Sequence, residues 1–385
     1  MMRTPLLLSL LLLLAGCGAK GSAASADTLS PDSLSSIAAE PEYPGDITLL
    51  FAGDAMQHQA QLDQAKLRGR GKRYDYSQCF DLIAPTIKEA DYAVVNLEVP
   101  LGGGPVYRGY PCFSAPDSYA EALKEAGFDL FLTANNHCLD SGMKAARRTL
   151  SALDSLKLDH TGTFTDSLAR LKEVPLIKDI KGYKVAFLNY TYGTNGIPAR
   201  DGMEVALIDR DRMAKEIALA KEKGAEIIVT TIHWGVEYVL TQNKNQESLA
   251  QFLLDQGVDL VIGSHPHVIQ PMMVVENEKT GKKGLVVYSL GNFISNMKTA
   301  DTRGGALVRA VIGRDETGKA VFKSADYDTF LSAKPTGRGD NYRVIPSWMK
   351  DSIPAGQREH WNIFNRGAEK IFERYNVDVP RGHQD

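Results

Sequence analysis

Short runs of apolar residues recur along the chain from residue 46 onward, and most are followed by a segment with helical spacing. The runs ITLLFAG, YAVVNLE and DLVIGSH are short and continuous, which indicates strands that are largely buried on both faces. Between such runs, DSYAEALKEAG and DRMAKEIALAKEKG repeat their apolar residues as amphipathic helices do. The alternation predicts an α/β protein with helices on the outside.

Three of the predicted helices end at a glycine that leads directly into the next strand, at Gly127, Gly224 and Gly257. Glycine adopts the left-handed backbone conformation that commonly ends a helix. Further along, GGALVRAVI and KAVFKSADYDTFL have the pattern of additional antiparallel strands. We therefore expect one domain at 45–350, followed by a polar C-terminal tail at 351–385.

Polar side chains stand where the predicted strands end. In chain order they are Asp54, then Asn96 and Glu98, then Asn135, Asn136 and His137, then His233, and finally His265 and His267. Ligands of open α/β sheets bind at the carboxyl ends of the strands, so we expect these groups to form one site. A mixture of imidazoles and carboxylates suits Zn, Mn or Fe better than Ca or Mg.

The segment GSHPH places two histidines one residue apart, directly after an apolar strand. In an extended segment, residues i and i+2 project to the same side, so His265 and His267 are expected to face one metal cluster. Pro266 keeps the preceding residue out of the helical region. Gly263 permits a close approach of the backbone at the end of the strand.

The composition is that of a folded protein without a strong charge bias. Of the 385 residues, 43% are hydrophobic and 24% are charged, and the formal net charge is -3. This charge gives no general attraction to polyanions, so we expect no nucleic-acid partner. The segment KLRGRGKR at 66–73 carries five cations. It could bind a polycarboxylate or phosphate, or it could be a solvated loop.

The N-terminal segment has the features of an export signal. Arg3 precedes the apolar stretch LLLSLLLLLAGC, which is shorter than the roughly 20 residues of a transmembrane helix. Its end, LAGC at 14–17, resembles a bacterial lipobox, which predicts a signal peptide at 1–16 and a lipid on Cys17. The alternative is an ordinary secretory signal with an incidental cysteine.

Residues 17–44 are rich in Ser, Ala, Gly and Pro and predict a flexible tether between the lipid and the folded domain. We therefore expect a lipid-anchored protein of the bacterial cell envelope, outside the cytoplasm and facing either the periplasm or the cell surface. Three cysteines remain after Cys17, an odd number in a compartment that permits disulfides. We expect Cys79 to pair with Cys112, which leaves Cys138 free.

Six ordered motifs resemble those of the capsule synthesis family CapA, which is associated with poly-γ-glutamate. They are GD at 53–54, NLE at 96–98, ANNHCLDSG at 134–142, HWGVEY at 233–238, GSHPHVIQP at 263–271 and YSLGNF at 288–293. The resemblance covers about residues 46–300, and that family is similar to the calcineurin-like metallophosphoesterases. It implies a two-sheet α/β sandwich with αββα layers, a C-terminal extension and a dinuclear metal site at the strand ends.

The resemblance also implies a role for each matching residue. The metal ligands would be Asp54, Glu98, Asn136, His233, His265 and His267, and the cofactor would be one or two divalent transition metals, Mn, Zn or Fe. Glu98 stands where the related enzymes have a bridging aspartate. His137 would protonate the leaving group, and Asp140 would orient it. Weaker candidates at the rim of the site are Asn96, Trp234, Glu237 and Asn292.

This sequence departs from the metallophosphoesterase pattern at two positions. Met56 occupies the position of a histidine on the first strand, and Cys138 follows the Asn-His pair where an acidic residue is usual. His58 could replace the missing histidine, although its spacing places it on the turn after the strand. The number of bound metal ions, one or two, is left open.

Two functions follow from the resemblance. The first is a metal-dependent hydrolase of phosphoester or amide bonds that acts in the biosynthesis or processing of an anionic envelope polymer such as poly-γ-glutamate. The second is a non-catalytic, polymer-binding subunit of capsule assembly or export that retains the same fold. In either case, capsule synthesis or export proteins are the expected partners.

Overall fold

The computed structural model describes residues 45–337 and 339–383. Its strands are β1 (Ile47–Ala55), β2 (Tyr92–Leu97), β3 (Leu130–Leu132), β4 (Asp159–Thr161), β5 (Thr163–Phe164), β6 (Leu176–Ile180), β7 (Tyr183–Thr191), β8 (Glu204–Val205), β9 (Ile227–His233), β10 (Leu260–Ser264), β11 (Met272–Asn277), β12 (Lys282–Val287), β13 (Asn292–Ile294), β14 (Gly304–Arg314), β15 (Ala320–Ala333) and β16 (Arg343–Pro346). Its α-helices are α1 (Gln59–Arg68), α2 (Ala84–Lys88), α3 (Asp117–Ala126), α4 (Gly142–Ser155), α5 (Ser167–Glu173), α6 (Arg210–Glu222), α7 (Lys244–Asp255) and α8 (Arg358–Tyr375). The signal peptide, Cys17 and the tether lie outside the described residues.

Most strands belong to two large sheets. The first has the order β16-β15-β14-β1-β2-β3-β4, with β13 also paired to β1, and the second has the order β11-β12-β10-β9-β7-β6. The strands β14 and β15 form a long antiparallel pair beside β1, so the prediction of additional antiparallel strands is confirmed.

The two sheets pack face to face, and apolar residues from both form the core between them. Along β1, Leu49 and Phe51 join one hydrophobic cluster with Phe187 of β7. The intervening Leu50 belongs to a different cluster, together with Leu123 of α3. Because side chains alternate between the faces of a strand, β1 is buried on both sides.

The second sheet is covered by helices on its outer face in the same way. Leu188 of β7 and Ile228 of β9 pack in one cluster with Ile217 of α6 and Leu253 of α7. The order of the layers is therefore helix, sheet, sheet, helix. This confirms the predicted αββα sandwich.

The segment after residue 350 packs against the sandwich. Helix α8 places Phe364, Ala368 and Phe372 in the cluster that fills the space between the sheets. Beyond the helix, Val377 accepts a backbone hydrogen bond of 2.9 Å from Val274 of β11. These contacts attach the C-terminal extension to the domain that carries the strand ends.

Parallel pairing brings the predicted site residues to one edge of each sheet. Strands β1, β2 and β3 are parallel to one another, and so are β7, β9 and β10. Two glycines permit close approaches near these ends. A Cβ at Gly53 would lie 2.0 Å from the backbone oxygen of Gly291, and one at Gly263 would lie 2.0 Å from that of Tyr288. The close approach predicted at Gly263 is therefore present.

The predicted disulfide between Cys79 and Cys112 is wrong. All three cysteines in the described part of the chain are free. Cys79 is buried in the cluster that contains Phe80, whereas Cys112 is exposed. Burial raises the pKa of the Cys79 thiol, which keeps it in the neutral form inside the core.

The basic segment at 66–73 is the end of α1 and the turn that follows it. Most of its residues are exposed, and Arg68 and Arg73 lie 3.7 and 3.6 Å from the carboxylate of Asp75. These contacts favour the interpretation as a solvated loop. Over the described ranges, no helix is both long enough and apolar enough to cross a membrane.

Candidate metal centre

The strand ends of the two sheets bring six predicted ligands together in the interior. Strand β1 provides Asp54, the residue after β2 is Glu98, and the turn after β3 carries Asn136. From the second sheet come His233 at the end of β9 and His265 and His267 after β10. All six side chains are buried, with exposed fractions between 0 and 3%.

Their donor atoms form two groups that share one residue. Glu98, His233 and His265 form the first group, and Asp54, Glu98 and His267 form the second. Within each group, the potential ligand atoms lie within 4.8 Å of one another. Glu98 thus lies between two sets of groups that can hold a metal ion, which is the position that a bridging carboxylate requires.

The Glu98 carboxylate is fully buried, and neither of its oxygens has a hydrogen-bond partner among the described residues. Its Oε1 lies 3.4 Å from His233 Nε2 and 4.0 Å from His267 Nε2. An uncompensated buried charge costs of order several kcal/mol. His265 Nδ1 is also buried without a partner. A divalent cation would satisfy these atoms, so the donor set fits one.

The two carboxylates of the centre have opposite pKa shifts. Burial and the charge of Asp54 raise the pKa of Glu98 well above its usual value. Burial also raises the pKa of Asp54, but His267, 3.2 Å away, outweighs it and lowers that pKa to about 2. Burial lowers the pKa of His267, but Glu98 and Asp54 outweigh it and raise that pKa to about 9.

The other two histidines are held in the neutral form. Burial lowers the pKa of His233 to about 3 and that of His265 to about 2. Metals bind the neutral imidazole, so both rings are in the form that a metal ion requires at neutral pH. The Asn136 side chain lies beside the His233 ring, with 2.8 Å between its Oδ1 and His233 Nε2.

The segment from His265 to His267 is not extended, so the predicted geometry is wrong. Both residues have positive φ angles, 97° at His265 and 58° at His267. A non-glycine residue in this region costs roughly 1–3 kcal/mol and persists only where its surroundings enforce it. Here the His265 backbone N–H points at Asp54 Oδ2, 3.3 Å away, and His267 Nδ1 lies 3.0 Å from Asn292 Oδ1. A tight turn brings both rings to the centre.

His137 and Asp140 form a pair beside the ligand groups. The two side chains are in contact at 2.7 Å between His137 Nδ1 and Asp140 Oδ2. Asp140 also accepts a hydrogen bond of 2.9 Å from the backbone N–H of Phe113. Burial lowers the pKa of His137, but the hydrogen bond with Asp140 and the charge of Glu98 outweigh burial and raise it.

The four residues predicted at the rim of the site differ in their burial and in their distance from the ligand groups. Asn96 and Asn292 are buried inside the centre, where Asn96 donates a hydrogen bond of 2.7 Å to Asp54 and Asn292 contacts His267. Trp234 is buried and donates to the backbone oxygen of Tyr288, although its ring also lines a cavity next to the centre. Glu237 is half-buried on the loop between β9 and α7.

Two residues that follow β7 lie at the centre but are absent from the predicted site. Tyr192 packs its ring 4.6 Å from that of His265. Asn195 accepts a hydrogen bond of 3.2 Å from Asn136 and lies 3.4 Å from His137 Nδ1. The apolar run KVAFLNY, which TYGTN follows directly, indicates the end of the strand but not the path of the turn that carries Asn195.

His58 does not take the place of the histidine that the resemblance led us to expect at Met56. Met56 is buried, and its backbone oxygen accepts a hydrogen bond of 2.9 Å from the Tyr119 hydroxyl. His58 precedes α1, and its Nδ1 accepts a hydrogen bond of 3.3 Å from the backbone of Asn296. Within the described residues, His58 belongs to neither ligand group. The second group therefore has one imidazole and the first has two.

A two-sheet α/β sandwich with buried imidazoles and carboxylates at its strand ends defines an α/β protein with candidate sites for divalent metals. The family described as bacterial capsule synthesis protein PGA_cap matches residues 48–297. This chain belongs to that family.

Two curated relatives come from Bacillus. The chain is 32% identical over 247 residues to the capsule biosynthesis protein CapA of Bacillus anthracis, a match that covers 62% of this chain and 58% of that protein. It is 27% identical over 310 residues to the PGA biosynthesis protein CapA of Bacillus subtilis (strain 168), covering 78% of this chain and 77% of that protein.

Two solved structures that are similar to this chain over most of its length share little sequence with it. The NAD nucleotidase of Haemophilus influenzae is 11% identical with a TM-score of 0.44, over 87% of this chain and 64% of that one. The sulfate thiohydrolase SoxB of Thermus thermophilus is 14% identical with a TM-score of 0.43, over 87% of this chain and 62% of that one.

The pKa of His267 makes metal binding dependent on pH. Without metal, His267 has a pKa of about 9 and carries a proton at neutral pH. A bound metal requires the neutral ring, so titration with Mn²⁺ at about pH 7.5 should release at least about one proton, that of His267, per ion bound at the Asp54–His267 group. Release should diminish as the pH rises through about 9, because the ring is then already neutral.

Calorimetric titrations in two buffers of different ionisation enthalpy measure this release. His160→Asn is the matched control, because His160 lies outside both groups and pairs with Asp154. Metal binding at pH 7.5 with no proton release would contradict the assigned protonation.

Proposed function

We propose that this protein is a metal-dependent hydrolase that acts on an anionic polymer of the capsule or cell envelope. The observation that carries the proposal is the buried, unpartnered carboxylate of Glu98 between two groups of metal ligands. The membership of a capsule synthesis family supports an acidic polymer of the poly-γ-glutamate type as the substrate. Phosphoester and amide bonds are the two candidate bonds.

The residues divide into those that hold metal and those that move protons. His233, His265 and Asn136 would hold one divalent ion, Asp54 and His267 would hold another, and Glu98 would contact both. When bound, such ions would supply Lewis-acid activation of water and neutralise charge that develops on the substrate. Because the rings of His233 and His265 are neutral, an ion could bind at the first position without displacing a proton from either ring.

His137 is the proposed general acid. Its Nδ1 is engaged by Asp140, which fixes the orientation of the ring and leaves Nε2 for the leaving group. The backbone N–H of Phe113 holds Asp140 in turn, and the Phe113 ring packs 4.7 Å from that of His137. This packing limits rotation of the imidazole, so proton donation occurs from one defined position.

The second candidate is a polymer-binding subunit without turnover, and Met56 is the observation that favours it. The group of Asp54, Glu98 and His267 has a single imidazole because Met56 occupies the place of another. A weakly held ion there would leave a site that binds anions but does not activate water. Metal-dependent cleavage of either bond type by the purified chain would exclude this candidate.

The location of the protein is a further part of the proposal. We propose that Cys17 carries a lipid and anchors the chain outside the cytoplasm, because the preceding residues resemble a lipobox. Cys17→Ser should transfer the protein from the membrane fraction to the soluble fraction and abolish incorporation of labelled fatty acid. The matched control is Cys112→Ser, an exposed cysteine in the folded domain. Unchanged labelling of the Cys17 variant would contradict the anchor.

Substitution of the proposed acid tests catalysis directly. His137→Asn should lower kcat by about 10²–10⁴-fold while metal content stays the same, because His137 donates a proton and holds no ion. The substrates are a γ-linked glutamate polymer and bis-p-nitrophenyl phosphate. His160→Asn should leave kcat unchanged.

The pH profile separates positioning by Asp140 from general loss of structure. The acid works when protonated, so activity should fall as the pH rises through the pKa of His137, which Asp140 helps to raise. Asp140→Asn removes this charge and should move the alkaline limit of kcat to lower pH. An unchanged alkaline limit would show that Asp140 does not act through His137.

A further inference from the structure

A cavity of about 380 Å³ lies next to the metal centre on the second sheet. Its walls come from the residue after β7, the loop after β9, the start of α6 and the start of α7. The residues that line it include Tyr192, Arg210, Trp234, Val236, Asn243 and Leu249. The volume falls within the range of roughly 300–1,000 Å³ that holds small ligands or one unit of a larger one.

Two residues connect the cavity to the centre. Tyr192 lines the cavity and packs its ring 4.6 Å from His265, and its backbone N–H donates to the His233 carbonyl at 3.0 Å. Trp234 also lines it and follows His233 directly in the chain. A linear substrate with one bond at the centre would therefore extend its neighbouring unit past Tyr192 into this space.

The charge in the cavity comes from Arg210. Its guanidinium donates a hydrogen bond of 2.8 Å to the Ser248 hydroxyl and lies 5.1 Å from the centre of the Phe252 ring. Among the described residues, no carboxylate forms an ion pair with Arg210 in the way that Glu204 does with Arg212 on the same helix. Arg210 therefore keeps its capacity to bind an anion, and a guanidinium binds carboxylates through paired, charge-assisted hydrogen bonds.

The other lining residues can contact the uncharged part of a unit that carries a carboxylate. Val236 and Leu249 are apolar, and Trp234 adds its ring, so together they can pack against methylene groups. Asn243 uses its side-chain oxygen to cap α7, and its amide NH₂ group is left to donate. The cavity thus combines an apolar floor with a cation and an amide donor.

We infer that this cavity is a substrate subsite for a carboxylate-bearing unit of the polymer, adjacent to the bond held at the metal centre, with Arg210 as the residue that selects the carboxylate. The inference rests on the proposed function, because it assumes that the polymer occupies the centre. Arg210 acts in binding and specificity and takes no part in the chemical step. It should discriminate a carboxylate from the isosteric amide.

Binding of two matched probes tests the inference. The probes are a γ-linked glutamate pentamer and the same pentamer with its α-carboxylates converted to amides. With the full chain loaded with Mn²⁺, Arg210→Gln should weaken binding of the acidic pentamer about tenfold and should leave the amide pentamer unaffected. Lys215→Gln is the matched control, because it removes an exposed cation from the same helix outside the cavity.

A second variant tests the space without changing charge. Val236→Trp should fill part of the cavity and weaken binding of both pentamers, while the Mn²⁺ content stays the same. Equal effects of Arg210→Gln and Lys215→Gln on the acidic pentamer, or no effect of either, would overturn the subsite. Absence of bound Mn²⁺ in the unaltered chain would instead refute the proposed function.

Discussion

The centre of this protein depends on the buried carboxylate of Glu98, which has no hydrogen-bond donor among the described residues. A negative charge in the interior needs a nearby positive charge or a proton. Burial and the charge of Asp54 raise the pKa of Glu98, which favours a proton there, while His267 offsets the charge of both carboxylates. A divalent cation on each side of Glu98 would replace these protons. The donor set therefore has the character of a site that a divalent cation would stabilise.

The fold serves this arrangement by bringing the carboxyl ends of strands from two sheets to one place. Strands of the first sheet deliver the carboxylates and Asn136, and strands of the second deliver three imidazoles. The approach is close, since Gly53 and Gly263 lie against backbone oxygens and have no room for a side chain. The turn at His265 and His267 has positive φ angles that its contacts with Asp54 and Asn292 offset.

The sequence predicted the layers and the position of the centre, because buried parallel strands and the polar residues after them leave a clear local pattern. It failed where the answer depends on tertiary contacts. The turn at His265 was expected to be extended, and its conformation is set by a hydrogen bond to Asp54 on another strand. The pairing of Cys79 was wrong because its thiol lies in the core. Asn195 was missed because it lies several residues beyond the end of β7, on a turn whose path the apolar pattern does not indicate.

The most direct test of the central claim is the transition-metal content of the purified full chain, compared with that of Glu98→Gln. The substitution keeps the size of the side chain and removes the charge that both ligand groups share. We predict bound Mn, Zn or Fe in the unaltered chain after dialysis and loss of most of it in Glu98→Gln, with circular dichroism showing that the fold is retained. Equal metal content in both proteins, or no bound metal in either, would contradict the account.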